Sequence, residues 1–119
     1  LEVLDCSRNP ISSLSPLSEL RSLRILYAES TQIDAIDAVQ NLVLLEELKF
    51  SSTEVKDLRP LEKLVNLKVL EFSNTRVKNI KPIMELFQLK ELKCYNNNIN
   101  SKRIDEFKEQ HPQCEVVFY

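Results

Sequence analysis

A pattern of apolar residues recurs every 22 residues along the sequence and limits strictly how the chain can fold. In each unit the first and fourth positions are leucine, and the sixth position is alanine, cysteine or phenylalanine. The five units begin at Leu1, Leu23, Leu45, Leu67 and Leu89. A register that holds over so many units predicts a repeat protein, in which each unit packs against the units before and after it.

The spacing of the apolar residues changes inside each unit. At the start of the third unit Leu48 and Phe50 alternate with polar residues, which predicts one face of a short strand. Later in the same unit Leu58, Leu61 and Leu64 are three apart, which predicts a tight helical turn. One unit cannot bury both apolar faces by itself. The units must therefore stack into a solenoid whose strands form a parallel sheet.

Residues 53–61, which read TEVKDLRPL, connect the predicted strand of the third unit to its predicted turn. Pro60 stands near the start of that turn, and Pro16 and Pro82 stand at the same place in their own units. With these features the units resemble the 22-residue leucine-rich repeats of the Sds22-like and internalin-like class of bacterial proteins. The resemblance covers essentially the whole chain.

The resemblance implies an α/β fold, namely a leucine-rich-repeat right-handed β-α superhelix (solenoid). A parallel β-sheet would line its concave face, and short 3₁₀ or α turns would line its convex face. It also implies a protein-protein interaction module, which is the common role of such repeats.

The ninth position of every unit is asparagine or threonine, where leucine-rich repeats typically carry an inward asparagine. Such side chains can satisfy backbone groups at the bend that follows the strand. The five residues are Asn9, Thr31, Thr53, Thr75 and Asn97. The chain contains no glycine, so another residue type must adopt any left-handed backbone, and the run Asn96-Asn97-Asn98 is the predicted place.

The C-terminal residues depart from the repeat. Residues from about 101 to 110 have a polar start and early charged residues, which predicts an α-helix that caps the array. A shift of 22 from Leu92 and Cys94 leads to Cys114 and Val116, so a last strand is predicted at about 114–119. The five units and this cap together predict a single domain over residues 1–119.

The N-terminal residues show no comparable cap. Leu1, Leu4 and Leu14 would form an exposed apolar wall there, which repeat proteins normally cover. The sequence therefore predicts a fragment of a larger protein, or a chain that pairs through this end. The second reading gives the alternative function, a structural or oligomerisation segment of a larger repeat protein, which includes a homo-oligomer formed through the N-terminal end.

Charge and hydropathy argue against two classes of partner. The 18 acidic and 16 basic residues are interspersed, so no concentrated positive field exists to hold nucleic acid. The longest unbroken apolar run, residues 42–45, is far shorter than the roughly 20 residues of a membrane-spanning helix. We expect neither nucleic acid binding nor membrane insertion.

Residues that could do chemistry are few. His111 is the only histidine and has no nucleophile at a suitable spacing, and the absence of glycine excludes a glycine-rich phosphate loop. We therefore expect no enzymatic activity, no cofactor and no metal. Cys6, Cys94 and Cys114 occupy predicted inward positions and should be free thiols. Their odd number favours the cytoplasm over a disulfide-bonded secreted framework, although no residue identifies a location.

The third, fifth and seventh positions of each unit must point away from the core if the fourth and sixth point into it. This concave face is the predicted surface for a protein or peptide ligand, with Tyr27 and Tyr95 as its anchors. The charges at the fifth position alternate and are predicted to neutralise one another across neighbouring strands, in the order Lys49, Glu71, Lys93 and Glu115. The predicted partner-binding residues are Ile25, Tyr27, Lys49, Val69, Glu71, Tyr95 and Val117.

Overall fold

Short strands form where the first part of each repeat alternates between apolar and polar residues. The computed structural model describes residues 1–119 and has one three-residue strand in each repeat and a sixth strand near the C-terminus. The strands run parallel and lie side by side in chain order, so equivalent residues such as Leu48 and Leu70 are neighbours. The strands are β1 (Val3–Asp5), β2 (Ile25–Tyr27), β3 (Glu47–Lys49), β4 (Val69–Glu71), β5 (Glu91–Lys93) and β6 (Glu115–Val117).

A single 3₁₀ turn forms the opposite side of each of the first four repeats. Proline is the second residue of three of these turns, where its fixed φ is suitable. The turns are Ser15–Leu17, Asp37–Val39, Arg59–Leu61 and Lys81–Ile83. A parallel strand layer backed by short turns is the predicted leucine-rich-repeat solenoid, and the prediction of the fold is confirmed.

The apolar positions of all repeats meet in one continuous core of 28 buried residues. Leucines at the fourth position are fully buried from the second repeat onward, as Leu26 and Leu48 illustrate. The rings of Phe50 and Phe72, both at the sixth position, stack with their centroids 5.9 Å apart. Each core residue therefore packs against its own equivalent in the next repeat.

The chain leaves each of the first five strands through a residue with left-handed backbone at the eighth position. The φ angles of these residues lie between 54° and 60°, at Arg8, Ser30, Ser52, Asn74 and Asn96. The sequence predicted this conformation only within the run 96–98, and the structure repeats it in every unit. The conformation lets the backbone N–H of the eighth residue reach the neighbouring repeat, as the Ser52 N–H does to the Ser73 carbonyl at 2.8 Å.

Polar side chains at the ninth position close the same bend. The Thr53 hydroxyl is buried and donates to the Phe50 carbonyl at 2.8 Å, and the Thr75 hydroxyl donates to the Phe72 carbonyl at 2.9 Å. Asn97 also donates to the Phe72 carbonyl, at 2.9 Å. These bonds give the inward ladder at the ninth position a structural role.

An α-helix replaces the 3₁₀ turn after the fifth strand. Helix α1 spans Ser101–Gln110, and the side chain of Asn100 caps it by accepting the Lys102 N–H at 2.8 Å. Ile104 and Phe107 bury one side of the helix against the end of the core. No helix of the structure has the length and apolar character that crossing a bilayer would require.

The last strand does not keep the 22-residue register. Strand β6 pairs with β5 so that Leu92 lies beside Val116 and Lys93 lies beside Val117, which is a shift of 24 residues. The prediction that Cys114 would lie beside Leu92 is therefore wrong. The helix advances only about 1.5 Å per residue, so a longer stretch of chain is needed to return to the sheet.

Candidate functional site

The surface formed by the third, fifth and seventh positions, which we call the strand face, lies on the side of the sheet opposite the 3₁₀ turns. Strand alternation sends these side chains away from the core. Row three holds Val3, Ile25, Glu47, Val69, Glu91 and Glu115. Row five holds Asp5, Tyr27, Lys49, Glu71, Lys93 and Val117. Row seven, just beyond the strands, holds Ser7, Glu29, Ser51, Ser73, Tyr95 and Tyr119.

A chain of polar contacts fixes the middle of the strand face. The Tyr27 hydroxyl donates to Glu47 Oε1 at 2.8 Å, and the Lys49 ammonium lies 4.9 Å from the centroid of the Tyr27 ring. Lys49 Nζ also pairs with Glu71 Oε2 at 3.1 Å. Four side chains on β2, β3 and β4 are thus linked in one network of contacts.

These contacts change the ionisation of the groups involved. The hydrogen bond to Glu47 is the main cause that raises the pKa of the Tyr27 hydroxyl. Burial alone would lower the pKa of Lys49, but the hydrogen bond and the negative charge of Glu71 raise it overall. The hydroxyl therefore stays protonated and the ammonium stays charged at neutral pH.

Serine side chains continue the hydrogen-bond ladder past the ends of the strands. The Ser51 hydroxyl accepts the Ser73 N–H at 3.0 Å, and the Ser73 hydroxyl accepts the Tyr95 N–H at 3.1 Å. Because these side chains are small, they leave a shallow groove of about 350 Å³ that is lined by Tyr27, Glu29, Glu71 and Tyr95 among others. The two predicted aromatic anchors border the same groove.

Glu29 is half-buried in this groove and has no basic group within 4.0 Å. Burial is the main cause that raises the pKa of its carboxyl, and the negative charge of Glu71 raises it further. Sequence reasoning did not single out Glu29. The sequence feature that could have identified Glu29 is an acidic residue at a position that is serine in three other repeats.

The alternating charges predicted in row five are only partly present. Lys49 pairs with Glu71, but the shifted register places Val117 beside Lys93 and Glu115 beside Glu91. The prediction that Lys93 and Glu115 neutralise each other is therefore wrong. Glu115 instead lies beside Glu91 in row three, so two negative charges are neighbours there.

The same shift changes two apolar positions at the C-terminal end of the strand face. A constant 22-residue repeat predicts Val117 in row seven, whereas in the structure it lies in row five. Tyr119 takes the place in row seven, where its ring stacks on Tyr95 with centroids 5.2 Å apart and 79% of the residue is exposed. Sequence reasoning missed Tyr119 because it assumed a constant repeat length. Ile25 and Val69 lie half-buried in row three, as the alternation required.

A line of exposed apolar side chains lies outside the strand face. Val43, Val65 and Phe87 occupy the 21st position of three consecutive repeats and are 50%, 56% and 64% exposed. We call this line of side chains the lateral ridge. An apolar residue at that position in three successive units was visible in the sequence.

Titratable groups elsewhere in the chain have packing roles. His111 is buried, and its ring lies between Phe87 and Phe107, with centroid distances of 5.0 Å and 3.8 Å. Burial raises the pKa of the Cys94 thiol to about 12, which keeps it protonated. All three cysteines are free, and no three histidine, cysteine or acidic side chains converge on a place for a metal ion.

Comparisons with known proteins agree with this geometry. Residues 1–41 match the family model described as leucine-rich repeats in two copies. No curated protein is significantly similar in sequence to the chain. Internalin C2 from Listeria monocytogenes has a similar structure, with a TM-score of 0.93 and 26% identity over 100% of this chain and 52% of that chain.

Two further solved structures are similar over nearly the whole chain. A leucine-rich-repeat protein from Leptospira interrogans gives a TM-score of 0.86 and 26% identity, over 97% of this chain and 30% of that one. The functional domain of InlJ from Listeria monocytogenes gives a TM-score of 0.83 and 21% identity, over 99% of this chain and 24% of that one. The chain thus spans about half the length of internalin C2 and less of the other two.

Proposed function

We propose that this chain, a leucine-rich-repeat solenoid that resembles the bacterial internalins, is an interaction module whose strand face binds a protein or peptide. Leucine-rich-repeat domains of this kind are generally protein-interaction modules, because stacking the repeats creates an extended and rigid surface. The proposed binding residues are Ile25, Tyr27, Lys49, Val69, Glu71, Tyr95 and Val117, with Tyr119 added from the structure.

The observation that supports the proposal is that two aromatic side chains with preformed contacts border one groove. Tyr27 contacts Glu47 and Lys49, and the ring of Tyr95 stacks on the exposed ring of Tyr119. Ordering a side chain on binding costs about 0.5 to 1.5 kcal/mol, and that cost is reduced for side chains that are already fixed. Preformed aromatic anchors are typical of the residues that contribute most of the affinity at protein interfaces.

A displayed library of random peptides supplies a probe that does not require the natural partner to be known. Peptides selected on the intact chain would be measured against Tyr27→Ala, Tyr95→Ala and the double variant. We expect each single change to weaken binding by about 2 kcal/mol, which is about thirtyfold in Kd. The matched control is Val65→Ser, which alters the exposed lateral ridge and leaves the strand face unchanged.

Circular dichroism and thermal melts would establish that each variant remains folded. Binding that survives the double tyrosine variant but is lost in Val65→Ser would place the interaction on the lateral ridge and overturn the proposal.

A further inference from the structure

The strand face has a charge that differs from the charge of the rest of the molecule. Rows three, five and seven contain six acidic side chains and two lysines, a net charge of −4, whereas the whole chain has a net charge of −2. The remaining surface therefore has a net charge of +2. The acidic side chains are Asp5, Glu29, Glu47, Glu71, Glu91 and Glu115.

Most of these carboxylates have no basic partner in the molecule. Only Glu71 is paired with a base, since it lies 3.1 Å from Lys49, while Glu47 accepts the Tyr27 hydroxyl. The other four have no lysine or arginine nitrogen within 4.0 Å. Elsewhere the same chain pairs its charges closely, as Arg24 does with Glu2 and Glu46 at 3.3 Å and 2.7 Å.

The unpaired carboxylates lie in two places. Glu29 and Asp5 line the serine-floored groove near the first two strands. Glu91 and Glu115 are direct neighbours on β5 and β6, an arrangement of like charges that opposes pairing of the strands. In neither place does a lysine or arginine of the chain approach the carboxylates within 4.0 Å, so a cation from a partner would be attracted to both.

The groove is suited to a long basic side chain. Glu29 is half-buried in the groove and follows Tyr27 on the same face of its repeat, so an ammonium or guanidinium group could meet the carboxylate while its methylene groups cover the Tyr27 ring. One basic residue, Arg8, also borders the groove, at the end near the first repeat.

We propose that the partner is a protein segment bearing lysine or arginine side chains, one of which enters the groove at Glu29 while a second contacts Glu91 and Glu115. This inference rests on the proposed function, because it names the chemistry of the ligand that the strand face binds. Complementary charge favours such a segment over an acidic or purely apolar one.

The separation of the two places sets the spacing of the basic residues. From β2 to β5 the sheet advances about 14 Å, and from row seven to row three the strand covers about 13 Å, so the direct distance is about 19 Å. An extended segment spans about 3.3 Å per residue. Two basic residues about six positions apart would therefore reach both places.

The test uses a pair of synthetic peptides with the intact chain. One has two arginines six positions apart with an aliphatic residue and a tyrosine between them, and the other has glutamine in place of both arginines. We expect the arginine peptide to bind at least about tenfold more tightly, with an affinity that falls as salt is added.

Neutral variants identify where the charge acts. Glu29→Gln and Glu115→Gln should each weaken binding of the arginine peptide by about fivefold to tenfold and make it less dependent on salt. The matched control is Glu62→Gln, which removes one negative charge from an exposed position outside the strand face and should leave affinity unchanged.

Three results would overturn the inference. Equal losses of affinity for the arginine peptide in Glu29→Gln and Glu62→Gln would mean that binding depends only on the net charge of the chain. Selected library peptides that need Tyr27 and Tyr95 but contain no enrichment of basic residues would preserve the proposed function and reject a basic partner. A failure of every selected peptide to depend on the two tyrosines would reject both.

Discussion

At the scale of single residues, the most constrained positions are those with left-handed backbone. Every repeat needs this conformation at its eighth position, and the chain achieves it without a single glycine. For a residue with a Cβ atom the conformation costs about 1 to 2 kcal/mol, and asparagine adopts it more readily than most. The hydrogen bond from each N–H to the next repeat, at 2.8 Å for Ser52, offsets this cost.

Replacing Ser52 therefore tests the backbone and not the side-chain contacts. Ser52 is exposed, and its hydroxyl makes no hydrogen bond. We expect Ser52→Val to lower the free energy of unfolding by about 1 to 2 kcal/mol, because a β-branched residue fits a positive φ poorly. Ser52→Asn should leave it unchanged or raise it. Urea unfolding measures both, and equal stability of the valine and asparagine variants would contradict the explanation.

At the scale of elements, the strands and the helix show how far the sequence could be interpreted. The shift of 22 residues holds for every pair from β1 to β5, because those repeats follow the same path from strand to turn. It fails at β6, where a ten-residue helix takes the place of a three-residue turn. The sequence predicted a helix but not the length of chain that returns from it, so the constant 22-residue repeat predicts the wrong row for Val117 and overlooks Tyr119.

The cap of that helix supplies a test at this scale. Asn100→Ala removes the side chain that accepts the Lys102 N–H, and we expect the free energy of unfolding to fall by about 1 kcal/mol. Amide exchange in the first turn of α1 should accelerate by more than exchange in β3. Asn98→Ala is the control, because Asn98 is exposed and its side chain makes no hydrogen bond. Similar losses in both variants would rule out a capping role for Asn100.

At the scale of the whole molecule, the core was predictable and the detailed contacts of the strand face were not. Burial follows directly from the repeat of apolar residues, which is why Leu48 and Leu70 are fully buried where alternation placed them. No such pattern governs the strand face, because the fold tolerates almost any polar side chain at positions exposed to water. Only the structure revealed that Glu29 lies in a groove without a basic partner within 4.0 Å and that Tyr95 is stacked on Tyr119.

A comparison of equivalent leucines tests the continuity of the core. Leu48 is fully buried in the third repeat, whereas Leu4 holds the same position in the first repeat and is half-buried. We expect Leu48→Ala to cost about 2 to 5 kcal/mol and Leu4→Ala clearly less, because the cavity left by Leu48 is enclosed on all sides. Thermal or urea unfolding gives both values. Equal costs would show that the repeats do not depend on their neighbours in the way described.

The parallel ladder also determines how the molecule would respond to force. The strands follow one another in chain order, and each is bonded only to the strands before and after it. Tension applied at the two termini would load the hydrogen bonds of one terminal strand at a time. The solenoid would therefore unfold repeat by repeat at low force, instead of resisting up to a high force and then unfolding all at once.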